Sequence, residues 1–596
     1  MEKRKIKPVW KWVIGIFAGL LFLSISAGWY LTWRWKPILD KQLKEAVLSA
    51  TDSLYRVDYD DISINILTGS LNLHNFRLIS DSLVYQEMEE ALNAPDNRFD
   101  VNVSQVRIRG FNISKAIFSD RVAINQILVD TPEVYMRNKY QFYNDTISSS
   151  KPSDQRLLGS LKELKIQHIG IKGIDFTFDR ELDSARSTYN FENVSVDIKD
   201  ILIDSTSIAE SERFYYTGSL ELKMGSYEWD IQESPYQLAF DSLRVRTDTR
   251  QITIEGLRYT PNMSRNAFYQ YMGYAKDMIE LHFTQVNLMD VDLDKFSRSQ
   301  RIHAGSLHLS EGAVHVSNDR RYPRRPVNKI GQSPHQQLMR IGQPLKIDTL
   351  HVDNVDISYS EISEKYHKEG DITFERTSGW IANVTNDSVS LSQNQIATAD
   401  LTTYVQNQGK LNVQFTFDML DERGAYTYKG TLGAMNGKAF NRILTPLLSA
   451  EVGTANIQEL RFDMQGNDYR NWGTLWWDYS DMRVYLLDTH EDGSTSRKKI
   501  ISFLANELLI NDSNPDSKGV YIIGKIDYQR PHEFSFYKTL WKSLLEGIKQ
   551  TAGISRERES RLINTAESAK TIREKSGTVL NSLFRKREPT PDNKEQ

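Results

Sequence analysis

The chain repeats one spacing of apolar and polar residues along much of its length. Residues 164–178 read LKIQHIGIKGIDFTF and residues 345–359 read LKIDTLHVDNVDISY. Both follow the frame Φ-x-Φ-x-x-Φ-x-Φ-x-x-Φ-x-Φ, where Φ is apolar. Alternation of this kind is typical of a β-strand with one buried face. The pattern therefore predicts a mainly β protein built from many similar strands.

Two-residue breaks divide the frame, and the residues in the second break predict tight turns. Lys172-Gly173, Asp353-Asn354 and Arg109-Gly110 tolerate the positive φ angles of two-residue hairpin loops, and we interpret Ser310-Glu311 in the same way. The first break fits either another turn or a β-bulge. Chained hairpins predict an elongated, curled antiparallel β-sheet with one apolar face and one polar face.

An apolar sheet face must be covered, and the pattern leaves two solutions open. A second sheet would give tandem sandwiches. A sheet curled along its length would instead line a groove for acyl chains, since each buried methylene contributes about 0.8 kcal/mol. In the groove interpretation the apolar frame positions are candidate lipid-binding residues. They are Val106, Ile108, Phe111, Ile113, Ile169, Ile171, Ile174, Phe176, Val286, Leu288, Leu350, Val352, Val355 and Ile357.

The N-terminus carries the pattern of a membrane anchor. Residues 12–33 contain no charged side chain and follow a cluster of lysines and an arginine. At about 1.5 Å per residue they extend for roughly 33 Å, the hydrocarbon depth of a bilayer. The positive-inside rule then predicts a cytoplasmic N-terminus, with the rest of the chain outside. A cleaved signal peptide, with small residues at 24–27, is the alternative.

Changes of pattern along the chain predict its domain organisation. The segments are a basic tip and transmembrane anchor (1–35), a linker helix (36–58), an elongated repeated β-sheet (59–430), a C-terminal β cap with a helix at 438–449 (431–533), an amphipathic helix (534–555) and a charged tail (556–596). Two further helices are predicted at Leu83–Leu92 and Asn266–Met278.

Composition narrows the function classes. The formal net charge of −4 argues against bulk nucleic-acid binding, which requires a basic surface. The sequence has no cysteine, which removes disulfides, thiolate nucleophiles and Cys-ligated zinc. The sequence also lacks a nucleophile-elbow serine, a phosphate-binding loop, an HExxH motif and a dinucleotide fingerprint. We therefore expect a protein that is not an enzyme and needs no cofactor.

Three local clusters offer other chemistry. His303, His308 and His315 lie close in sequence, but solvated strand histidines are commoner than a metal site, which needs three or more convergent ligands, so we expect no metal. The four arginines of DRRYPRRP (319–326) match phosphate geometry, but an ordinary solvated loop is the commoner role of such a run. Three tryptophans within 472–477 fit either a buried cap or a membrane-interface contact.

The predicted anchor followed by DYDDISINILTGSLNLHNFRLISD (58–81) resembles the opening of AsmA-like proteins. In that family an anchored chain begins with a strand, a glycine turn and an LxLxxΦxL phrase, which corresponds here to residues 69–78. The segments KAFNRILTPLLSAEVG (438–453), 473–487 and FSFYKTLWKSLLEGIKQTAGI (534–554) resemble the C-terminal part of AsmA-like proteins from Bacteroidota-type bacteria. The resemblance spans nearly the whole chain and rests on hydrophobic patterns.

The resemblance implies a location and a role. Proteins of the AsmA, TamB and YhdP type are anchored in the inner membrane of diderm bacteria, lie in the periplasm and are similar in architecture to chorein-type lipid bridges. Their U-shaped β-groove implies phospholipid as the ligand, the inner membrane as the partner of residues 12–33, and an outer-membrane or periplasmic protein partner. We therefore expect lipid transport or outer-membrane homeostasis. The alternative is a scaffold or assembly factor for envelope proteins that transfers no lipid.

Overall fold

The computed structural model describes residues 51–65, 68–112, 121–145, 162–182, 185–204, 213–299, 301–489, 495–497 and 510–554, with single positions between 40 and 49 and at 115 and 119. The protein is mainly β, with 57% strand and 17% helix, and many strands form one large curled sheet. The predicted mainly β class is confirmed. The anchor predicted at 12–33 and the tail predicted at 556–596 lie outside the described residues.

Strands and helices are numbered here in chain order. The strands are β1 (Tyr55–Asp58), β2 (Asp61–Asn65), β3 (Ser70–Ser80), β4 (Asn97–Arg109), β5 (Arg121–Asp130), β6 (Glu133–Lys139), β7 (Glu163–Leu182), β8 (Ala185–Asp204), β9 (Ser219–Met224), β10 (Tyr227–Asp230), β11 (Tyr236–Phe240), β12 (Ser242–Arg246), β13 (Gln251–Pro261), β14 (Met278–Met289), β15 (Ile302–Asp319), β16 (Leu345–Ile362), β17 (Glu369–Thr385), β18 (Ile396–Val405), β19 (Gly409–Asp418), β20 (Tyr426–Leu432), β21 (Met435–Asn436), β22 (Ala450–Gly466), β23 (Arg470–Thr489), β24 (Thr495–Arg497) and β25 (Gly524–Gln529). The helices are α1 (Ser82–Glu90), α2 (Arg265–Met272), α3 (Leu293–Ser299), α4 (Pro334–Met339), α5 (Ser388–Gln393), α6 (Asn441–Leu448) and α7 (Phe536–Thr551), with short 3-10 turns at Phe142–Asp145 and Gly437–Phe440.

Contacts divide the chain into two compact units. Unit 1 comprises Met1–Trp229, Ala239–Gly256 and Asn287–Ser299, and unit 2 comprises Asp230–Leu238, Leu257–Val286 and Gln300–Gln596. Within unit 1, antiparallel ladders join β3 to β4, β4 to β5, β7 to β8, β8 to β9 and β9 to β12. Within unit 2, an antiparallel series runs from β16 through β17, β18, β19, β20, β22 and β23 to β25.

Parallel pairs interrupt the antiparallel ladders, which corrects the prediction of an antiparallel sheet. β7 pairs in parallel with both β5 and β6, and β16 pairs in parallel with β15. A parallel neighbour needs a connection that returns the chain to the same end of the sheet. Residues 320–344, which include α4, make this connection before β16. The apolar frame defines which face is buried and carries no information on strand direction.

The second break of the frame is a β-bulge, so the hairpin turns predicted there are wrong. β7 continues through Lys172-Gly173, and β16 continues through Asp353-Asn354. The register with the next strand shifts at both places, and the φ angles of Gly173 and Asn354 are 63° and 54°. A bulge and a two-residue hairpin both place one residue in the left-handed region, so the same residue types signal either.

The other predicted turns are wrong for related reasons. β15 continues through Ser310-Glu311, where Glu311 has a φ of 48°. β4 ends at Arg109, and the next backbone does not fold back on it, because the Phe111 N–H donates to the Gly69 carbonyl at 2.9 Å. At the first break of β7, the ladder with β8 lacks the pair that would include Asp200, whose φ is 53°. Both strands continue through this point, so the break is not a turn.

Four predicted helices are found with adjusted ends, whereas the linker predicted as a helix at 36–58 includes β1 (Tyr55–Asp58). α1 begins after Asp81, whose side chain accepts hydrogen bonds from the backbone of Leu83 and Val84. α2 stops at Met272, well before the predicted end, because Gly273 adopts a left-handed C-cap with a φ of 71°. α6 and α7 lie where amphipathic spacing predicts helices, and the Ser535 side chain caps α7 by accepting from the Lys538 N–H.

A dense core lies in unit 2 beneath α7. Tyr428, Met464 and Leu475 are at most 2% exposed, and Phe536 of α7 joins the same cluster. Half-buried apolar residues of α7 pack against it; they are Leu540, Leu544 and Ile548. This helix therefore covers the apolar face at β20 to β25.

Candidate functional site

The frame residues of unit 1 pair with one another from strand to strand and form continuous apolar rows. One row, in pairing order across β3, β4, β5, β7, β8, β9, β12 and β13, is Leu73, Val106, Val129, Ile171, Val196, Leu222, Val245 and Ile252. A second row is Leu71, Ile108, Ile127, Ile169, Ile198 and Leu220. Rows two residues apart along a strand share one face. The bulges keep the apolar residues on one face, because each bulge adds one residue where the frame has a three-residue step.

Unit 2 contains the same arrangement. One row runs through Leu309, Val352, Gly379, Leu401, Val413, Gly430, Phe462, Leu475 and Gly524. The other runs through Leu307, Leu350, Ile381, Ala399, Phe415, Tyr428, Met464, Gly473 and Ile526. We call the rows of each unit its apolar face. At Gly430 a neighbouring ring lies over the sheet, since a Cβ there would come within 2.6 Å of Phe462 Cζ.

Burial varies along these faces. In unit 2 the residues beneath α7 are closed, with Met464 and Leu475 both at 0% exposure. On the same two rows, Leu350 and Val352 of β16 are only half-buried. In unit 1 the corresponding Ile171 is half-buried too. The apolar face is therefore covered by protein at β20 to β25 and keeps partial access to solvent at β7 and β16.

The predicted lipid-binding residues divide by burial. The half-buried ones are Val106, Ile108, Phe111, Ile169, Ile171, Phe176, Leu288, Leu350, Val352 and Ile357. Three are buried, namely Ile174 at 8%, Val286 at 5% and Val355 at 2% exposure. Ile113 lies outside the described residues. Beside Val355, the ring of Phe283 lies against Gly312, where a Cβ would meet it at 2.5 Å, so this part of the face is packed shut.

Sequence reasoning missed a chain of aromatic rings in unit 1. Phe176 stacks on Phe191 at 5.9 Å between ring centroids, and Phe178 stacks on Tyr189 at 5.8 Å. The contacts continue from Phe191 to Tyr227, from Tyr189 to Trp229, and from Tyr227 to Phe240. Alternating aromatic residues in β7, β8 and β10 were the available signal. The rings extend the apolar face of unit 1 beyond the bulge of β7.

Charged and polar groups occupy the opposite face. In unit 1, His168 alternates with Ile169 and lies 2.6 Å from a carboxylate oxygen of Asp197. Burial by itself raises the pKa of Asp197, but the hydrogen bond from His168 and the charges of His168 and Lys199 outweigh it and lower the pKa. The sheet therefore has one apolar and one ionic side, as the frame predicts.

The other sequence clusters separate in the structure. Among the described residues no group of three or more His, Asp or Glu side chains could hold a metal ion; His308 stacks on His351 at 4.5 Å instead. Trp477 is 6% exposed and belongs to the core beneath α7. The other two tryptophans of 472–477 are half-buried and lie near the guanidinium groups of Arg470 and Arg461.

No family model matches the chain. No curated protein matches it at a significant level. Within the part of the chain that the structure describes, no helix has both the length and the apolar character needed to cross a membrane.

Proposed function

We propose that the protein binds the acyl chains of phospholipids along the half-buried parts of its apolar face. The single observation that carries the proposal is the registered rows, in which residues such as Ile171 and Val352 join unbroken apolar neighbours while staying partly accessible. At about 4.8 Å per strand, the longer row of unit 1 extends for roughly 34 Å. One leaflet of a bilayer is about 15 Å deep, so this length exceeds that of a single acyl chain.

The physical argument is that a uniform apolar row favours acyl chains at every position along it. Each methylene removed from water contributes about 0.8 kcal/mol, and consecutive apolar pairs offer no polar step along the row. We propose that this surface supports lipid transport or outer-membrane homeostasis from an elongated groove. The chain would be anchored in the inner membrane through residues 12–33, with its bulk in the periplasm, as the AsmA-like resemblance implies.

Native mass spectrometry of the purified full-length protein, released from detergent, tests this proposal. We expect phospholipid masses on the wild-type chain and their loss from Ile171→Glu and Val352→Glu, because a carboxylate in contact with acyl chains is strongly unfavourable. Val389→Glu is the matched control for Val352→Glu, since Val389 is 63% exposed on α5. Lipid-free wild-type protein would contradict the proposal.

The same purified protein distinguishes lipid binding from the alternative of a scaffold for envelope proteins. Crosslinking that returns one discrete envelope protein, together with lipid-free wild-type chain, would favour an assembly factor. The absence of native cysteine allows a direct test of location by a single introduced thiol. We expect Leu83→Cys, at a position 73% exposed, to react with a membrane-impermeant maleimide once the outer membrane is permeabilised, and Lys5→Cys to stay protected.

A further inference from the structure

The apolar face of unit 2 ends in an ionic cluster. Along β16, Tyr359 and Glu361 continue the alternation that begins at Val355 and Ile357, so their side chains follow the apolar face to its end. The Tyr359 hydroxyl donates to Glu361 at 2.7 Å, and Nε of Arg320 lies 2.9 Å from the same carboxylate. Both ionic side chains are less than one fifth exposed, at 18% for Arg320 and 19% for Glu361.

The segment before α7 is bonded to the loop after β15, and this loop begins beside the end of β16, where the Arg320 N–H donates to the Ile362 carbonyl at 3.1 Å. The Lys329 N–H donates to the His532 carbonyl at 2.7 Å, and Nη2 of Arg530 donates to the Lys329 carbonyl at 2.9 Å. These bonds fix the loop after β15 to the segment that leads into α7. Lys538 and Lys542, one turn apart on α7, are both half-buried there.

Positive charge exceeds negative charge in the cluster. Burial, followed by the charges of Arg320, Lys542 and Arg324, lowers the pKa of Lys538 to about 8, against the opposing effect of Glu361. Burial and Lys549 lower the pKa of Lys542, again opposed by Glu361. Within the described chain, neither lysine forms an ion pair with a carboxylate. Glu361 is paired with Arg320, and Arg324 has its own partner in Glu364 at 3.1 Å.

The arginines of 319–326, for which the sequence left phosphate binding and a solvated loop open, have different surroundings in the structure. Of the arginines in 319–326, Arg321 is held by Asp319, which is 2% exposed, and Arg325 lies over the ring of Tyr274. Only Arg320 joins the end of the apolar face, and the remaining cations come from α7, more than two hundred residues later in the chain.

We propose that Arg320, Lys538 and Lys542 bind the phosphate of a phospholipid whose acyl chains lie on the apolar face of unit 2. This inference rests on the proposed function and adds the site of the headgroup. A phospholipid presents its phosphate directly next to its acyl chains. Lys538 and Lys542, which have no carboxylate partner within the described chain, lie on the helix whose apolar residues pack over the apolar face of unit 2. Charge-assisted bonds from ammonium and guanidinium groups to phosphate oxygens are among the stronger hydrogen bonds in proteins.

The test compares two lipids with identical acyl chains on the full-length protein in detergent. One is phosphatidylglycerol and the other is diacylglycerol, and competition with a fluorescent phospholipid gives both affinities. We expect the wild-type chain to prefer the phospholipid. The double variant Lys538→Met and Lys542→Met keeps the apolar stems and should reduce this preference at least about tenfold, with diacylglycerol affinity unchanged.

The matched control removes two lysines elsewhere in unit 2. Lys410 and Lys429 are exposed on β19 and β20, so Lys410→Met with Lys429→Met changes the net charge equally and should leave the preference intact. Raising the pH from 7 to 9 should weaken phospholipid binding by the wild type, because Lys538 loses its proton near pH 8. The double lysine variant should lose most of this pH dependence.

The outcomes separate the two proposals. Equal binding of both lipids by the wild type, or an unchanged preference in the double lysine variant, overturns the headgroup site and leaves acyl binding standing. Displacement of phospholipid by millimolar inorganic phosphate would indicate a site for the free anion and would also overturn it. A wild-type chain that binds neither lipid overturns both this inference and the proposed function.

Discussion

Truncation of matched leucines in the two apolar rows of unit 2 measures where the face is closed. Leu350 and Leu475 both lie on strands of unit 2, in the two adjacent rows, but Leu475 is 0% exposed beneath α7 and Leu350 is half-buried. Leu475→Ala leaves a cavity enclosed by protein, so we expect a loss of about 3–5 kcal/mol in the free energy of unfolding. Leu350→Ala leaves a gap that opens to solvent and loses only part of the transfer free energy, about 1–2 kcal/mol.

Urea unfolding followed by tryptophan fluorescence gives both values. Because the chain has two units, the comparison should use the transition that both substitutions move, and not a single two-state fit to the whole chain. A second reading comes from single cysteines. We expect the thiol of Leu350→Cys to react with a small maleimide at least about tenfold faster than that of Leu475→Cys, and added phospholipid to slow the reaction at Leu350.

Equal costs for the two alanine substitutions would refute this reasoning. So would equally slow labelling of both thiols in the absence of lipid. Either result would mean that the apolar face at β16 is an enclosed core like the one beneath α7. The rows would then stabilise the fold, and they would offer no surface to a ligand.

Three further predictions concern the parts that hold the face in register. Gly173→Val should cost about 1–2 kcal/mol, because the bulge of β7 holds this residue at a φ of 63°, and urea unfolding measures the cost. Arg530→Met should cost about 3–5 kcal/mol, because it leaves the 3% exposed Asp468 as an unpaired buried charge; thermal unfolding, with loss of the fluorescence of the core tryptophan, reports it. Hydrogen bonds from Ser390 lower the pKa of Asp387, which caps the N-terminus of α5. The stabilisation from this carboxylate is therefore present above its unfolded pKa near 3.9 and disappears as the pH falls through the lower folded value. Acid titration of the free energy of unfolding should show this dependence in the wild type and a smaller one in Asp387→Ala.

Each of these predictions has a control or a contradicting result. Gly173→Asn should cost less than Gly173→Val, since asparagine tolerates the left-handed region, and equal costs would argue against strain at the bulge. An Arg530→Met variant as stable as the wild type would mean that the buried Arg530–Asp468 pair contributes nothing to stability. An acid profile unchanged by Asp387→Ala would assign the pH dependence to other carboxylates.

The alternation of apolar residues was enough to predict strands and one apolar face. Ile169, Ile171, Leu350 and Val352 do lie in registered rows, because side-chain direction follows from strand periodicity alone. The bulge at Gly173 could not be told from a hairpin, because both need a residue with positive φ. Whether a bulge or a hairpin forms at Gly173 depends on which strand the following residues pair with, and that strand lies far away in the sequence.

For the same reason, local patterns could not predict which strands pair in parallel or which element covers the apolar face. The parallel neighbours of β7 and β16 depend on long connections whose course the frame does not encode. The closed end of the face depends on α7, whose amphipathic spacing predicts the helix but not the surface it covers. The proposed headgroup site joins Arg320 to lysines of that helix, so no single stretch of sequence contains it.

Photocrosslinking along the apolar face tests the central claim most directly. A photoreactive amino acid replaces Val352 or Ile171 in the full-length protein in intact cells, and Val389 serves as the exposed control. The account predicts phospholipid adducts at Val352 and Ile171 and none at Val389. Adducts only to protein, or none at either face position, would contradict it.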